Sequence, residues 1–136
     1  MKERDNSDWW QIQTPKKPIF PDIEWSKPEQ RSSRGRLLIV GGNKLGFAAV
    51  GQSYKTATEC GAGEVKVVLP DGLRKTLPNT MSNMLEGVFL PTNPSGGFAK
   101  NGISDLIAAA NWSNGVLLIG DSGQNSETAI LYEDFI

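Results

Sequence analysis

Histidine is absent from this chain of 136 residues. That absence excludes Ser-His-Asp and Cys-His nucleophilic triads and histidine-ligated zinc. The single cysteine, Cys60, can form neither an internal disulfide nor a thiolate cage, and it makes a reducing, cytoplasmic setting the expectation. No apolar run approaches the roughly 20 residues that a membrane-spanning helix needs. The opening "MKERDNSDWW" lacks the apolar stretch of a secretory signal. An excess of either charge is missing too: 14 basic residues face 15 acidic ones, for a net charge of −1. Charge therefore points to neither nucleic acid nor an anionic membrane as a partner. Chemistry in this chain must rest on carboxylates, lysines, arginines, hydroxyls or backbone amides.

Residues 1–35 differ from the rest. They hold Pro15, Pro18, Pro21 and Pro28 and three of the four tryptophans. Proline locks its own φ and biases the preceding residue to extended backbone, which disfavours a long helix. Disordered segments are usually poor in aromatics. The expectation is an extended arm whose Trp9, Trp10, Phe20 and Trp25 dock on a surface, then a polar linker at Gln30 to Gly35. An unstructured tail is the plainer alternative.

From Arg36 onward, apolar runs of strand length ("RLLIVG", "EVKVVLP", "EGVFLP", "GVLLIGD") alternate with longer segments of helical type. This pattern predicts an α/β domain, a mainly parallel sheet covered by helices on both faces. In the first helical segment Val50, Tyr54 and Ala57 share one face, and Gly61 stands where a left-handed cap belongs. In "NGISDLIAAANWS", Ile103, Leu106, Ile107 and Ala110 share a face, with Asn101 or Ser104 as cap. In "NSETAILYEDFI", Asn125 or Ser126 caps and Ile130, Leu131 and Phe135 pack inward. "PTNPSGGFAKNG" reads as a flexible loop, "DGLRK" as a solvated helix start, Met81 and Met84 as gap fillers, and Cys60 as a packed thiol. The last helical pattern runs to the final residue. Residues 36–136 are therefore expected to be the N-terminal part of a larger domain; a minimal four-stranded domain, or a dimer covering its open edge, is the alternative.

Two turns are candidate sites. In "VGGNKLGFAAVG", Gly41 and Gly42 end a strand and Gly46 precedes a helix, the place where open α/β sheets bind ligands. The spacing fits neither a P-loop nor G-x-G-x-x-G. A tight turn needing positive φ explains the glycines equally well. Lys44 beside them could reach a phosphate or simply face solvent. In "LLIGDSGQNSET", Gly120, Asp121, Ser122 and Gly123 lie between a strand and a cappable helix. Asp121 is a candidate for holding a hydroxyl, for serving as a base, or for satisfying turn amides, the commoner use of Asp in a turn.

"GRLLIVGGNKLGFAAVGQSYKTATECGAGEVKVVLPD" resembles the opening of the ADP- or ATP-dependent NAD(P)H-hydrate dehydratases of the ribokinase-like superfamily. Gly61, Ala62 and Gly63 match the family's Gly-Ala-Gly after its first helix. Ala48 falls at a family glycine, and Ala49 at an alanine that lines the substrate site. "GVLLIGDSGQNSET" is similar to the family's Gly-Pro-Gly-Leu-Gly turn: Gly120 matches, while Asp121, Ser122 and Gln124 replace proline and two glycines. The resemblance implies a ribokinase-like fold and repair of hydrated NADH or NADPH, driven by ADP or ATP with Mg²⁺. It implies a substrate side built from Gly42, Asn43, Ala49, Gly120, Asp121 and Gly123, with no catalytic residue in this chain. The family's catalytic aspartate lies in a Gly-x-Gly-Asp turn, a pattern that these 136 residues do not contain. Alternatives are another ribokinase-like kinase of a small hydroxylated metabolite, or a non-catalytic domain that binds a nucleotide or a partner.

Overall fold

The computed structural model describes residues 28–77 and 87–136. The arm expected over 1–27, with Trp9, Trp10, Phe20 and Trp25, lies outside them, as do Met81 and Met84. The chain folds as an α/β unit on a four-stranded sheet whose strands are all parallel. The order of elements is β1 (Arg36–Val40), α1 (Ala48–Glu59), β2 (Glu64–Pro70), β3 (Gly87–Leu90), α2 (Ile103–Trp112), β4 (Gly115–Leu118) and α3 (Ser126–Phe135). In space the strands run β3-β2-β1-β4, so the chain builds outward from β1 on one side and then crosses to the other.

Alternation along the strands divides the core in two. Leu38, Val40, Val68 and Leu90 point to one face, where Phe98, Leu106 of α2 and Leu131 of α3 cover them. Ile39, Val65, Val67 and Leu69 point to the other, where Val50 of α1, Leu73 and Leu77 cover them. Both faces of β1 and β2 are buried, which is why these strands read as continuous apolar runs. β4 departs from that expectation. Among the described residues it pairs only with β1, and Leu117 remains 40% exposed because α1 lies over β1 and β2.

The face expected for α1 packs as read: Val50 is fully buried, with Tyr54 and Ala57 beside it. The helix ends in a Schellman motif, with Gly61 N–H donating to the Thr58 carbonyl (3.1 Å) and Ala62 N–H to that of Ala57 (3.0 Å). Gly61 has φ +90°. At Gly63 a Cβ would stand 2.3 Å from the Arg31 carbonyl. Gly61-Ala62-Gly63 is thus a helix stop followed by a close strand entry, at the end of the sheet where the strands begin.

Several expectations change. Cys60 is exposed, because it is the residue where α1 stops. α2 has no side-chain cap; a 3-10 turn at Lys100–Gly102 leads into it and Gly102 takes the cap position. Ile107 (45% exposed) and Ile130 (44%) turn away from the core, on the outer sides of α2 and α3. Ile103, Leu106, Ala109 and Ala110 of α2, and Leu131, Tyr132 and Phe135 of α3, pack instead. "DGLRK" is a 3-10 turn that buries Leu73. Part of the polar linker is tied down, since Arg31 Nε donates to the Gly63 carbonyl (2.8 Å) and Glu64 N–H to that of Gly35 (3.1 Å).

Candidate functional site

The reversal of strand order between β1 and β4 creates a switch point. Both loops that leave these strands open on the same rim, the position at which open α/β sheets take ligands. The first loop runs from Gly41 to Phe47, the second from Ile119 to Asn125. They touch directly. Gly42 N–H donates to Asp121 Oδ1 (2.9 Å), and Asn43 Nδ2 donates to the Asp121 carbonyl (2.7 Å). A Cβ built on Gly123 would lie 3.8 Å from the Asn43 Cβ.

Local chemistry shapes each turn. Gly42 and Gly123 both have φ +85°, a region costly for residues with a Cβ, so the glycine pair is in part a turn requirement. Asn43 and Gly46 exchange two backbone hydrogen bonds of 3.0 Å and close a narrow loop with Lys44 and Leu45 at its tip. Asn43 Oδ1 accepts from Leu45 N–H (2.8 Å), an Asx turn. Both ends of the Asn43 amide are therefore used within the fold. Asn125 caps α3 as read from the sequence, accepting from Glu127 N–H (2.8 Å).

The structure thus brings Gly42, Asn43, Asp121 and Gly123 together. Gly120 sits in the same turn, exposed, with open space where a Cβ would go. Ala49 stands in the first turn of α1, half-buried, in a helix whose N-terminus receives no side-chain cap. No hydrogen bond ties either residue to the Asp121 pair.

A third wall escaped the sequence reading. "PTNPSGGFAKNG", expected to be flexible, is pinned over the rim. Thr92 and Phe98 form an antiparallel bridge, and Asn93 is buried at its centre. Asn93 Oδ1 accepts from Gly97 N–H (3.1 Å). Asn93 Nδ2 lies within hydrogen-bond distance of the Phe98 carbonyl (2.9 Å), Asn125 Oδ1 (3.1 Å) and Thr128 Oγ1 (3.2 Å). Lys44 N–H donates to the Gly96 carbonyl (2.8 Å), so this loop also holds the Gly41–Phe47 loop. The available signal was two asparagines, Asn93 and Asn125, with Thr128; their 32 to 35 residues of separation hid it.

Behind Asp121, Ser122 Oγ and the Tyr132 hydroxyl are hydrogen-bonded. Burial pushes the Tyr132 phenol above its ordinary 10.0; the bond with Ser122 pulls the other way, and the charge of Asp121 adds to the rise. Among the described residues, no group of three or more carboxylates or thiols comes together to hold a metal ion. No helix among the described residues is long and apolar enough to cross a membrane.

No protein-family model matches this chain, and no curated protein matches it.

Proposed function

We propose that the chain carries the substrate side of a ribokinase-like NAD(P)H-hydrate dehydratase, a nicotinamide nucleotide repair lyase. Gly42, Asn43, Ala49, Gly120, Asp121 and Gly123 would face hydrated NADH or NADPH. The observation that carries the reading is the Gly42 to Asp121 hydrogen bond across the switch point, which joins both glycine turns on one rim. Backbone amides in the first turn of α1 suit a polar or anionic group of the ligand. The resemblance assigns the reactive carboxylate to a Gly-x-Gly-Asp turn, and these 136 residues lack one. ADP or ATP with Mg²⁺ belongs to that part of the reading. The expected setting is the cytoplasm.

A second reading is supported by the hydrogen bonds themselves. Asn43 and one carboxylate oxygen of Asp121 are satisfied internally, as in a corner that only closes the sheet. The same fold also suits another small-metabolite kinase or a non-catalytic binding domain.

Amide chemical shifts of the 136-residue chain, titrated with hydrated NADH, separate these readings. Shifts confined to residues 42–49 and 120–123, and reduced severalfold by Gly120→Trp, support substrate binding. An unchanged spectrum at millimolar ligand removes the proposal and leaves the structural corner. Turnover is not expected from this chain alone. Restored NADH absorbance with ADP or ATP would overturn the placement of the reactive carboxylate elsewhere.

A further inference from the structure

The rim uses the ends of the strands; the opposite end, where they begin, carries a cluster of its own. A 3-10 turn at Arg31–Ser33 lies against the place where α1 stops and β2 begins. Glycine permits the approach: a Cβ on Gly63 would stand 2.3 Å from the Arg31 carbonyl oxygen and 3.2 Å from the Arg34 Cβ. Beside this contact opens a hollow of about 430 Å³, lined by Glu29, Arg31, Arg34, Thr58, Gly61 and Ala62. Gly61-Ala62-Gly63, a motif that the rim leaves unused, thus shapes this end of the fold.

Two guanidinium groups line the hollow. Arg31 is held by its Nε, which donates to the Gly63 carbonyl (2.8 Å), so its Nη groups keep their donors for another acceptor. Arg34 makes no side-chain hydrogen bond or ion pair among the described residues. Its Nη1 lies 3.8 Å from where a Cβ on Gly61 would stand. Against the two cations stands one lining carboxylate, that of Glu29. Neighbouring carboxylates have cations of their own: Glu59 meets Lys55 (3.8 Å) and Glu64 meets Arg36 (3.9 Å). The carbonyls that end α1 are answered as well, since those of Thr56, Ala57 and Thr58 accept from the N–H groups of Cys60, Ala62 and Gly61. The negative end of the helix dipole is thereby blunted.

A guanidinium is a planar fork of donors that matches an oxyanion, and two forks suit a doubly charged, tetrahedral one. We propose that this hollow is a phosphate-binding site, which takes inorganic phosphate or the phosphate of a small ester between Arg31 and Arg34. Arg31 supplies a fixed fork and Arg34 a movable one, and the hollow leaves room for a small group attached to the anion. The inference is independent of what the rim binds.

The test follows amide chemical shifts of the 136-residue chain as inorganic phosphate, and separately glycerol 3-phosphate, is added at constant ionic strength with chloride as the reference salt. The expected result is saturable shifts confined to residues 29–34 and 58–63. Both arms uphold the site: tighter saturation by the ester assigns it to a phosphorylated metabolite, and otherwise phosphate itself is the ligand. Arg34→Gln weakens saturation severalfold with an unchanged circular dichroism spectrum. Arg34→Lys, which keeps the charge and loses the fork, restores only part of it. Lys55→Gln, at an exposed cation outside the hollow, leaves it unchanged. No saturation at tens of millimolar phosphate overturns the proposal, and so do shifts that Arg34→Gln does not weaken. Equal weakening by Lys55→Gln reads as general screening of surface charge and also overturns it.

Discussion

Gly42 is the residue on which the rim turns. Its φ of +85° and its amide bond to Asp121 both depend on the missing side chain; a Cβ there would meet Leu69 Cδ2 at 3.1 Å and Phe47 Cβ at 3.3 Å. Gly42→Ala is expected to cost about 1–2 kcal/mol for the left-handed backbone, with crowding added, visible as a lower midpoint in urea unfolding. Tyr132 gives a residue-scale prediction in pH. Its phenol is pushed above 10.0 mainly by burial, so the neutral form is favoured in the fold. The stability tied to it is fully present below the unfolded value of 10.0 and is lost as pH rises through the higher folded value. Tyr132→Phe should remove that alkaline loss and delete a late step from the phenolate absorbance titration. Glycines with positive φ are only half legible from sequence. "GG" announces a turn, but whether the turn binds or merely bends depends on which neighbour its amide meets, here a carboxylate 79 residues away.

At the scale of elements, the loop between β3 and α2 shows how a composition rule misleads. Pro, Ser and Gly in "PTNPSGG" match flexible loops, yet here each bends the chain around one buried amide. Asn93→Ala would leave the Gly97 amide without its acceptor in a buried place, while the Thr128 hydroxyl keeps its bond to the Phe98 carbonyl, an expected loss of about 1–3 kcal/mol. Native-state hydrogen exchange should then quicken at residues 95–98 and at the first turn of α3, while β1 and β2 keep their protection. Uniform acceleration across the sheet would contradict the local role of this hub. The helices were more legible. α1 displays its face and its Gly61 stop in a short window, and Asn125 caps α3 as its type and position predict. The faces of α2 and α3 were legible only in part. Periodicity identifies an apolar stripe, but it cannot say that Ile107 and Ile130 stay exposed at its margin.

For the whole molecule, the decisive feature is the position of β4. It places the switch point beside β1 and leaves Val116 and Leu117 on an uncharged edge that no described strand pairs with. Edges without charge or proline recruit other strands. Self-association at high concentration is therefore expected, and Leu117→Lys should weaken it by about tenfold, roughly 1.4 kcal/mol, in sedimentation velocity. Monomers at all concentrations for both proteins would remove this edge as an interface. Strand-length apolar runs alternating with helical ones mark this chain by themselves as a parallel α/β unit, because strands buried on both faces read as continuous apolar runs, although β4 keeps such a run with one side open. The turns that end its strands are equally local, since glycine alone takes φ near +85° without strain. Which turns meet was decided only by tertiary structure. The strand order seats Gly42 against Asp121, Asn43 against Gly123 and Asn93 against Asn125 and Thr128, through contacts across 30 to 80 residues that no local propensity encodes.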